Sequence, residues 1–518
     1  MCRISIALGL KALLFIARSF KLSSALCLSG MAQDRILAKA PFRSEFVFPT
    51  NEAVGASHHT VQADEPCVYL CGNSLGPLPK RSATLVQEEL QTWGAKQLVG
   101  LRGVVAHFAH PKGRDWMTIT DHVNPLLADL IGAKETEVAC MGSLTANLHL
   151  MMNVFYKPTS DRYKILCEGK AFPSDQYAFA SQARLHGLDP KDTIIELFPR
   201  DGEFVLREED ILDVISRQGA SIAMVLFSGV QYYTGQYFPM QSITKAAKAQ
   251  VSAVLSKCLR RPENPIQRRL FPTICYQKLL LCLGCICGWD LAHAIGNVAM
   301  SLHDWDVDFA VWCSYKYLNS GPGGIAGIFV HEKWDDRDLQ RYAGWWGHDQ
   351  ATRFDMPPVF SPIRGAQGFQ QSNPPVLCVV SLLGSLQVFK EAGMMGVLRK
   401  RSVELTGYLE RLLMQSPNYV PVHEVAARYP SPSKDLKPAF TIITPSQPES
   451  RGSQLSLKFL PVEAHVMIKV YEGLKAFGVI GDERQPDVIR LAPTALYNTP
   501  ADCDKAATRL DEVFSSLV

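Results

Sequence analysis

Short apolar runs alternate with amphipathic helical stretches along most of this chain, and few folds accommodate that alternation. Residues 163–167 (Tyr-Lys-Ile-Leu-Cys) and 222–227 (Ile-Ala-Met-Val-Leu-Phe) read as buried strands, with an amphipathic helix at 208–217 between them. Residues 284–289 and 307–311 read as two more strands. Helical periodicity marks 80–93, behind Pro77 and Pro79, and another helix runs over 147–155. Strands joined through helices predict an α/β fold, a mainly parallel sheet wrapped by helices. After Pro374-Pro375 a long apolar helix begins at 376–389, followed by strand-like 440–444, 456–459 and 488–491. That pattern predicts a smaller α+β domain. The expected organisation is an N-terminal extension at 1–30, a segment at 31–80 joining the small domain, a large domain at 81–375 and a small C-terminal domain at 376–518.

Charge excludes some functions. A net charge of +3 over 518 residues gives no reason to expect nucleic acid or an anionic membrane surface as a partner. The fourteen cysteines lack the spacing of a disulfide framework and read as free thiols, which points to the cytoplasm. Residues 4–20 are apolar but interrupted by Lys11 and Arg18, too short and too charged to span a bilayer comfortably. A secretory signal, a presequence or an extension ahead of Met31 would each look like this.

One internal stretch breaks the pattern. A helix ends at 245–250 and a strand begins at 284, a connection that usually takes a few residues. Residues 251–283 lie between, basic at Arg260, Arg261, Arg268 and Arg269, with Glu263 the lone acid. A translated intron and a surface loop are the competing readings. Cys282, Cys285 and Cys287 lack the histidines or second pair that zinc needs, so no metal is expected.

In α/β sheets, ligands gather outside the carboxyl ends of the strands. Ser228, Asp290 and Lys316 all fall at such ends. Lys316 follows an apolar run and precedes Gly321, Gly323 and Gly324. A low-dielectric site favours the uncharged form of an amine, and an uncharged lysine forms Schiff bases. Asp290 supplies a carboxylate able to hold a pyridinium nitrogen. That pairing is how pyridoxal phosphate is bound. Leu144 and Thr145, behind Ser143 at a helix start, suit a phosphate. Phe172, in Phe172-Pro173-Ser174-Asp175, suits stacking on a flat ring. Ser228 and Tyr233 offer hydroxyls to phosphate oxygens, and His293 lies three residues past Asp290. Arg490, between Ile489 and Leu491, suits a substrate carboxylate or a structural ion pair.

Taken together, these residues resemble the kynureninase family, whose fold is that of fold-type I pyridoxal-phosphate enzymes. The resemblance runs from Tyr69 to Asn498, broken by 251–283. It is carried by Tyr69-Leu-Cys-Gly-Asn-Ser-Leu-Gly76, Ala171-Phe-Pro-Ser-Asp175, Asp290-Leu-Ala-His-Ala-Ile-Gly296, Ser314-Tyr-Lys-Tyr-Leu-Asn319, Gly344-Trp-Trp-Gly-His348 and Ser372-Asn-Pro-Pro375. The resemblance implies a seven-stranded, mainly parallel sheet in an α/β/α sandwich, and a homodimer with shared active sites. It implies a covalent aldimine of pyridoxal 5'-phosphate on Lys316. Leu144, Thr145, Phe172, Pro173, Ser174, Asp175, Ser228, Asp290, His293 and Tyr315 would contact the cofactor, and Trp345 and Asn373 would reach it across the dimer. Ser74 and Arg490 would bind substrate. A pocket histidine is expected before Trp116, where His107 and His110 compete beside an expanded 98–105 stretch. The implied reaction is hydrolytic Cβ–Cγ cleavage of L-kynurenine and/or 3-hydroxy-L-kynurenine to an anthranilate and L-alanine, within tryptophan breakdown and NAD biosynthesis. Lys316, Asp290 and Tyr233 would be catalytic, with Tyr233 an acid or proton relay. The alternatives are another fold-type I enzyme, such as a cysteine desulfurase or aminotransferase, or a chain that binds cofactor poorly because 251–283 displaces Asp290. A desulfurase needs a reactive cysteine past the lysine, where only Cys378 and Cys503 lie.

Overall fold

The computed structural model describes residues 42–95, 109–250, 284–430 and 436–517. The expectations for 1–30, 98–105, His107, Cys282 and 251–283 lie outside the described residues.

The large sheet has seven strands: β1 (Val138–Cys140), β2 (Lys164–Glu168), β3 (Ile194–Leu197), β4 (Ile222–Ser228), β5 (Ile286–Asp290), β6 (Phe309–Cys313) and β7 (Ala326–Val330). Their spatial order is β1-β7-β6-β5-β4-β2-β3. Strand β7 runs antiparallel to β1 and β6, and the remaining neighbours are parallel. Around the sheet stand α1 (Lys80–Ala95), α2 (Leu144–Phe155), α3 (Pro173–Leu185), α4 (Glu208–Gln218), α5 (Met240–Ala249) and α6 (Val376–Glu391). Successive strand side chains point to opposite faces. Val225 and Phe227 of β4 therefore enter one apolar core, with α4, α5 and α6, while Met224 and Leu226 enter another, with α2 and α3. Burial on both faces explains why these strands read as continuous apolar runs.

The second sheet is antiparallel, in the order β8 (Ala439–Ile442), β9 (Leu455–Leu460), β11 (Val488–Leu491), β10 (Asp482–Arg484). Helices α7 (Met394–Met414), α8 (Val466–Ala476) and α9 (Pro500–Ser516) share its core. The short strand Val68–Tyr69 pairs with Val479–Ile480, and Val68 and Leu70 enter the same core. The chain thus visits the small domain at residues 68–70 after Phe46 has already packed against the large core. No single helix among the described residues is long and apolar enough to cross a membrane.

Two boundaries differ from expectation. A helix apolar on all sides is buried on all sides, and the helix expected to open the small domain at 376 instead packs into the large core through Val379, Leu382, Leu386 and Phe389. The division falls inside α7, where Met395 and Leu398 join the large core and Leu405, Leu409 and Leu413 the small one. Strand β6 begins at Phe309, not at 307, because Asp306 adopts a left-handed φ of 57° and the Val307 amide closes back on Leu302 O. Lys316 accordingly sits in the loop beyond β6, past Ser314 and Tyr315.

The two ends that flank 251–283 touch each other. Cys285 N donates to Ala247 O at 3.0 Å. The buried Asp308 accepts from Cys287 N at 2.8 Å and pairs with Lys248 on α5. Strand β5 is delivered in register whatever the intervening chain does, and Asp290 is not displaced. We expect a protein lacking 251–283, with Gln250 joined to Gly284 by a short glycine-serine linker, to unfold cooperatively at the midpoint of the full chain. A lost or broadened thermal transition would show those residues to be part of the core.

Candidate active site

The carboxyl ends of β4 and β5, with the loops beyond β2 and β6, converge on one cavity of about 260 Å³. Leu144 and Thr145 open α2 on one wall, and Phe172, Ser174 and Asp175 stand at the start of α3. Ser228 ends β4, Asp290 ends β5, and Ala292, His293, Tyr315 and Lys316 follow in their loops. Val230 and Tyr232 complete the lining.

Lys316 is positioned by its neighbours. The Gly76 amide donates to Tyr315 O at 2.8 Å. A Cβ on Gly76 would stand 2.2 Å from Asn319 Oδ1 and 2.5 Å from Lys316 O, so only glycine lets the 70–76 loop lie this close. Ser74 is on that loop and half-buried, outside the cavity lining. Lys316 Nζ stands 2.9 Å from His293 Nε2. Burial, reinforced by the cations Lys316, Arg490 and Arg484, holds the His293 imidazole well below its ordinary pKa, so it is neutral. With Nε2 accepting from the amine, the proton is on Nδ1, which is buried without a partner.

Three carboxyl groups lie at the same edge. Asp290 Oδ1 accepts from Ala292 N at 2.7 Å. Asp175 and Asp290 share a hydrogen bond. Burial raises both, but the bond from Asp175 and the Ala292 amide favour ionised Asp290, leaving Asp175 as the protonated member. Asp175 Oδ1 has no partner. Glu168, at the end of β2, accepts from Ser228 Oγ at 2.5 Å. Thr145 Oγ1 and Ser174 Oγ lie 2.7 Å apart where α2 and α3 both begin.

These features fit pyridoxal phosphate: an amine for its aldehyde, an ionised acid for its ring nitrogen, an aromatic face at Phe172, and hydroxyls at two helix N-termini for its phosphate. Unpaired polar atoms on His293 and Asp175 mark a cavity built around a polar guest.

Some expected residues lie elsewhere. Tyr233 does not line the cavity; its hydroxyl donates to Asp487 at 2.5 Å, and the neighbouring Tyr232 takes the wall position, edge-on to Phe172 at 5.2 Å. Both tyrosines lie in a turn that Gly235 N closes on Gln231 O at 2.9 Å, and the path of that turn leaves Tyr233 away from the cavity where the expected relay would act. Pro173 is the first residue of α3, where its missing amide costs nothing, and is not part of the lining. His110 is buried against α1, its Nε2 3.2 Å from Glu89 and 3.0 Å from Thr92 Oγ1. Arg490 is fully buried just behind the wall; Nη1 donates to Tyr232 O at 2.7 Å and Nη2 pairs with Asp482, while Nε has no partner. Trp345 and Asn373 are exposed and outside this chain's cavity. Val230, Tyr232 and Glu168 were not anticipated from sequence; an acid closing a buried strand was the available signal for Glu168.

Other chemistry is less well served. Cys503 is buried in the small-domain core and Cys378 packs against the large one, and burial raises both thiols. Neither lines the cavity, as a desulfurase nucleophile must. Glu137, His303 and His331 bring possible metal-binding atoms within 4.8 Å. Glu137 Oε1 already accepts from Glu332 N and from His303 Nδ1, each at 2.9 Å, and His331 Nδ1 accepts from Lys333 N at 3.1 Å. That cluster is a hydrogen-bond network.

Residues 398–510 match the family model for the kynureninase C-terminal domain. The chain is 47% identical to the kynureninase of Yarrowia lipolytica over 86% of its own length and 94% of that protein. The kynureninase of Nematostella vectensis is 45% identical, over 92% of this chain and 91% of that one. That of Saccharomyces cerevisiae is 44% identical, over 92% and 97%. Among solved structures, C-DES with a glycine covalently linked to its PLP cofactor aligns with a TM-score of 0.65 at 14% identity, over 86% of this chain and 96% of that one. The cysteine desulfurase CsdA of Escherichia coli gives 0.62 at 14%, over 92% and 99%. At such identity the likeness concerns the fold.

Asp482 neutralises Arg490 and also pairs with Arg484 at 2.7 Å. Replacing it with Asn leaves a guanidinium buried without its counter-charge. We expect Asp482→Asn to lower unfolding free energy by about 3 kcal/mol in urea titrations. A change within about 0.5 kcal/mol, the usual range for surface substitutions, would mean that Arg490 is stabilised some other way.

Proposed function

The chain belongs to the kynureninase family, and on that footing we propose that Lys316 is the residue that carries the cofactor and that Asp290 is its fixed partner across the ring. The protein is a pyridoxal-phosphate-dependent hydrolase that cleaves the Cβ–Cγ bond of a kynurenine, releasing an anthranilate and L-alanine. When bound, the cofactor supplies an electron sink for the substrate's Cα. The observation that carries the site reading is one amine, Lys316 Nζ, held 2.9 Å from a neutral imidazole and sharing a buried cavity with Asp290.

Each side chain then has a task. Thr145, Ser174 and the free amides at the starts of α2 and α3 would hold the phosphate. Phe172 would lie against the ring. Asp290 would keep the ring nitrogen protonated, and protonated Asp175 donates to Asp290 without adding a second negative charge. Lys316 would be the base that removes the substrate's Cα proton. His293 accepts a hydrogen bond from that amine and keeps it aimed. Water must then add to the side-chain ketone, and Tyr232 and Tyr315 are the tyrosines that line the cavity. Arg490 receives the substrate carboxylate through its free Nε edge. Ser74 approaches substrate on the loop that braces Tyr315. Choice between kynurenine and its 3-hydroxy form turns on contacts to one aryl hydroxyl.

We further propose a homodimer in which Trp345 and Asn373 reach the partner's cavity. Trp345 is 44% exposed although its Nε1 donates to Arg353 O at 3.0 Å, and Tyr342, Met356 and Val359 nearby in sequence are exposed as well. Apolar exposure of this kind is usually covered by a partner. The enzyme would act in the cytoplasm, in tryptophan breakdown leading to pyridine nucleotides. The cysteines among the described residues are all unpaired, which suits a reducing compartment.

Lys316→Ala should lose turnover and the borohydride-sensitive visible band together. A band that persists in this variant would assign the cofactor to another lysine. Arg490→Ala should weaken substrate binding by ~2–4 kcal/mol, read as a raised KM; an unchanged KM would remove Arg490 from the substrate site.

A further inference from the structure

One buried acid has no place in these roles. Glu168 is 2% exposed and lies behind the cavity wall, not on it. Strands β2, β4 and β5 are neighbours, and they end at Glu168, Ser228 and Asp290. The Glu168 carboxylate accepts from Ser228 Oγ at 2.5 Å, and both its oxygens lie 3.3 Å from Ser228 N. A serine hydroxyl carries one proton. When that proton points at Glu168, Ser228 shows the cavity only lone pairs.

We propose that Glu168 is a positioning residue that sets the polarity of Ser228: ionised, it makes the hydroxyl an acceptor toward the cavity, and protonated, it releases the hydroxyl to donate there. The proposal rests on the reading of this cavity as the cofactor site. An acceptor beside Asp290 suits a ring N–H and repels phosphate oxygens, so the hydroxyl serves the ring end of the guest when Glu168 is ionised. The groups that face Glu168 are Asp290 on β5, Asp175 at the start of α3, Tyr232 beyond β4 and Cys167 on its own strand; Lys316 lies past the two aspartates. Its nearest ionisable neighbours are acids. Burial first, then the charge on Asp290, pushes the Glu168 carboxyl up to about 7. Below that pH Glu168 takes up a proton from solvent and donates a hydrogen bond to Ser228 Oγ, and above it the serine hydroxyl donates its hydrogen bond to the carboxylate.

The test is the affinity of the full-length protein for pyridoxal phosphate, read from the visible band across about pH 6 to 8, a window that brackets a carboxyl raised this far. In the wild type, affinity should step with a midpoint near 7. Glu168→Gln donates an amide N–H to Ser228 at every pH and fixes the low-pH arrangement. We expect its step to vanish and its affinity above the midpoint to change roughly tenfold, the scale of one hydrogen bond. Ser228→Ala should lose the same part of the pH dependence, and the double variant should add nothing to it. Wild-type profiles in both single variants, or effects that add in the double, would overturn the proposal. Should Glu168→Gln fail to fold, Ser228→Ala decides: an unaltered step there means that charge acts without the hydroxyl, which also overturns it. A wild-type protein that takes up no cofactor would refute the site reading instead, a separate outcome.

Discussion

Everything at the active site depends on the register of three parallel strands. Ser228 pairs with Asp290, and Asp290 with Val311, so the chain leaves β4, β5 and β6 at nearly one level. A slip of one residue would move Asp290 by about 3.3 Å and turn its side chain to the opposite face. Side chains from both faces of β4 are locked into separate apolar cores, and no slip can satisfy both. The buried Asp308 adds a polar lock by holding the start of β5 and the end of α5 together. This explains how a long basic stretch can interrupt the chain between α5 and β5 while the acid at the far end of β5 stays where it is.

The second constraint is buried charge. Glu168, Asp175 and Asp290 crowd one sheet edge beside Lys316. Three ionised carboxylates there would be costly. The site reduces the charge by protonating Asp175 and keeping His293 neutral, while Asp290 is favoured as the anion by the Ala292 amide and the Asp175 hydrogen bond. The two members of the acid pair are therefore unequal, and the ionised one, Asp290, is the one suited to a pyridinium.

Much of this was legible in the sequence because strand ends are legible. Apolar runs that stop at Ser228 and Asp290 reveal both the strands and the residues offered at their ends. Val488–Leu491 was readable for the same reason. What remained hidden is what one dimension does not encode. The all-apolar α6 announces burial but not which core receives it. Tyr232 and Tyr233 are equivalent as letters, and only the path of the loop decides which faces the cavity. The partner of Arg490 is Asp482, directly opposite it in the β10–β11 pair, so it becomes visible only once that register is known. His110 was likewise ambiguous until α1 brought Glu89 and Thr92 against it.

The fold is shared with enzymes that act at sulfur, so the chemistry must come from what lines the edges. Here the small domain contributes charge. Asp482 pairs with both Arg484 and Arg490, leaving one positive charge in excess across the three. A second anion, the substrate carboxylate, would bring the group to neutrality, whereas a dianion would overshoot it. Arg490 also donates to the Tyr232 carbonyl, so the residue that would meet the carboxylate is tied to the cavity wall. In the proposed role, capture of that carboxylate on the small domain and placement of the aryl ketone against the wall would thus be held by one guanidinium. A truncated substrate lacking the carboxylate would leave a buried cation without its counter-charge, and the loss would fall on orientation as well as affinity.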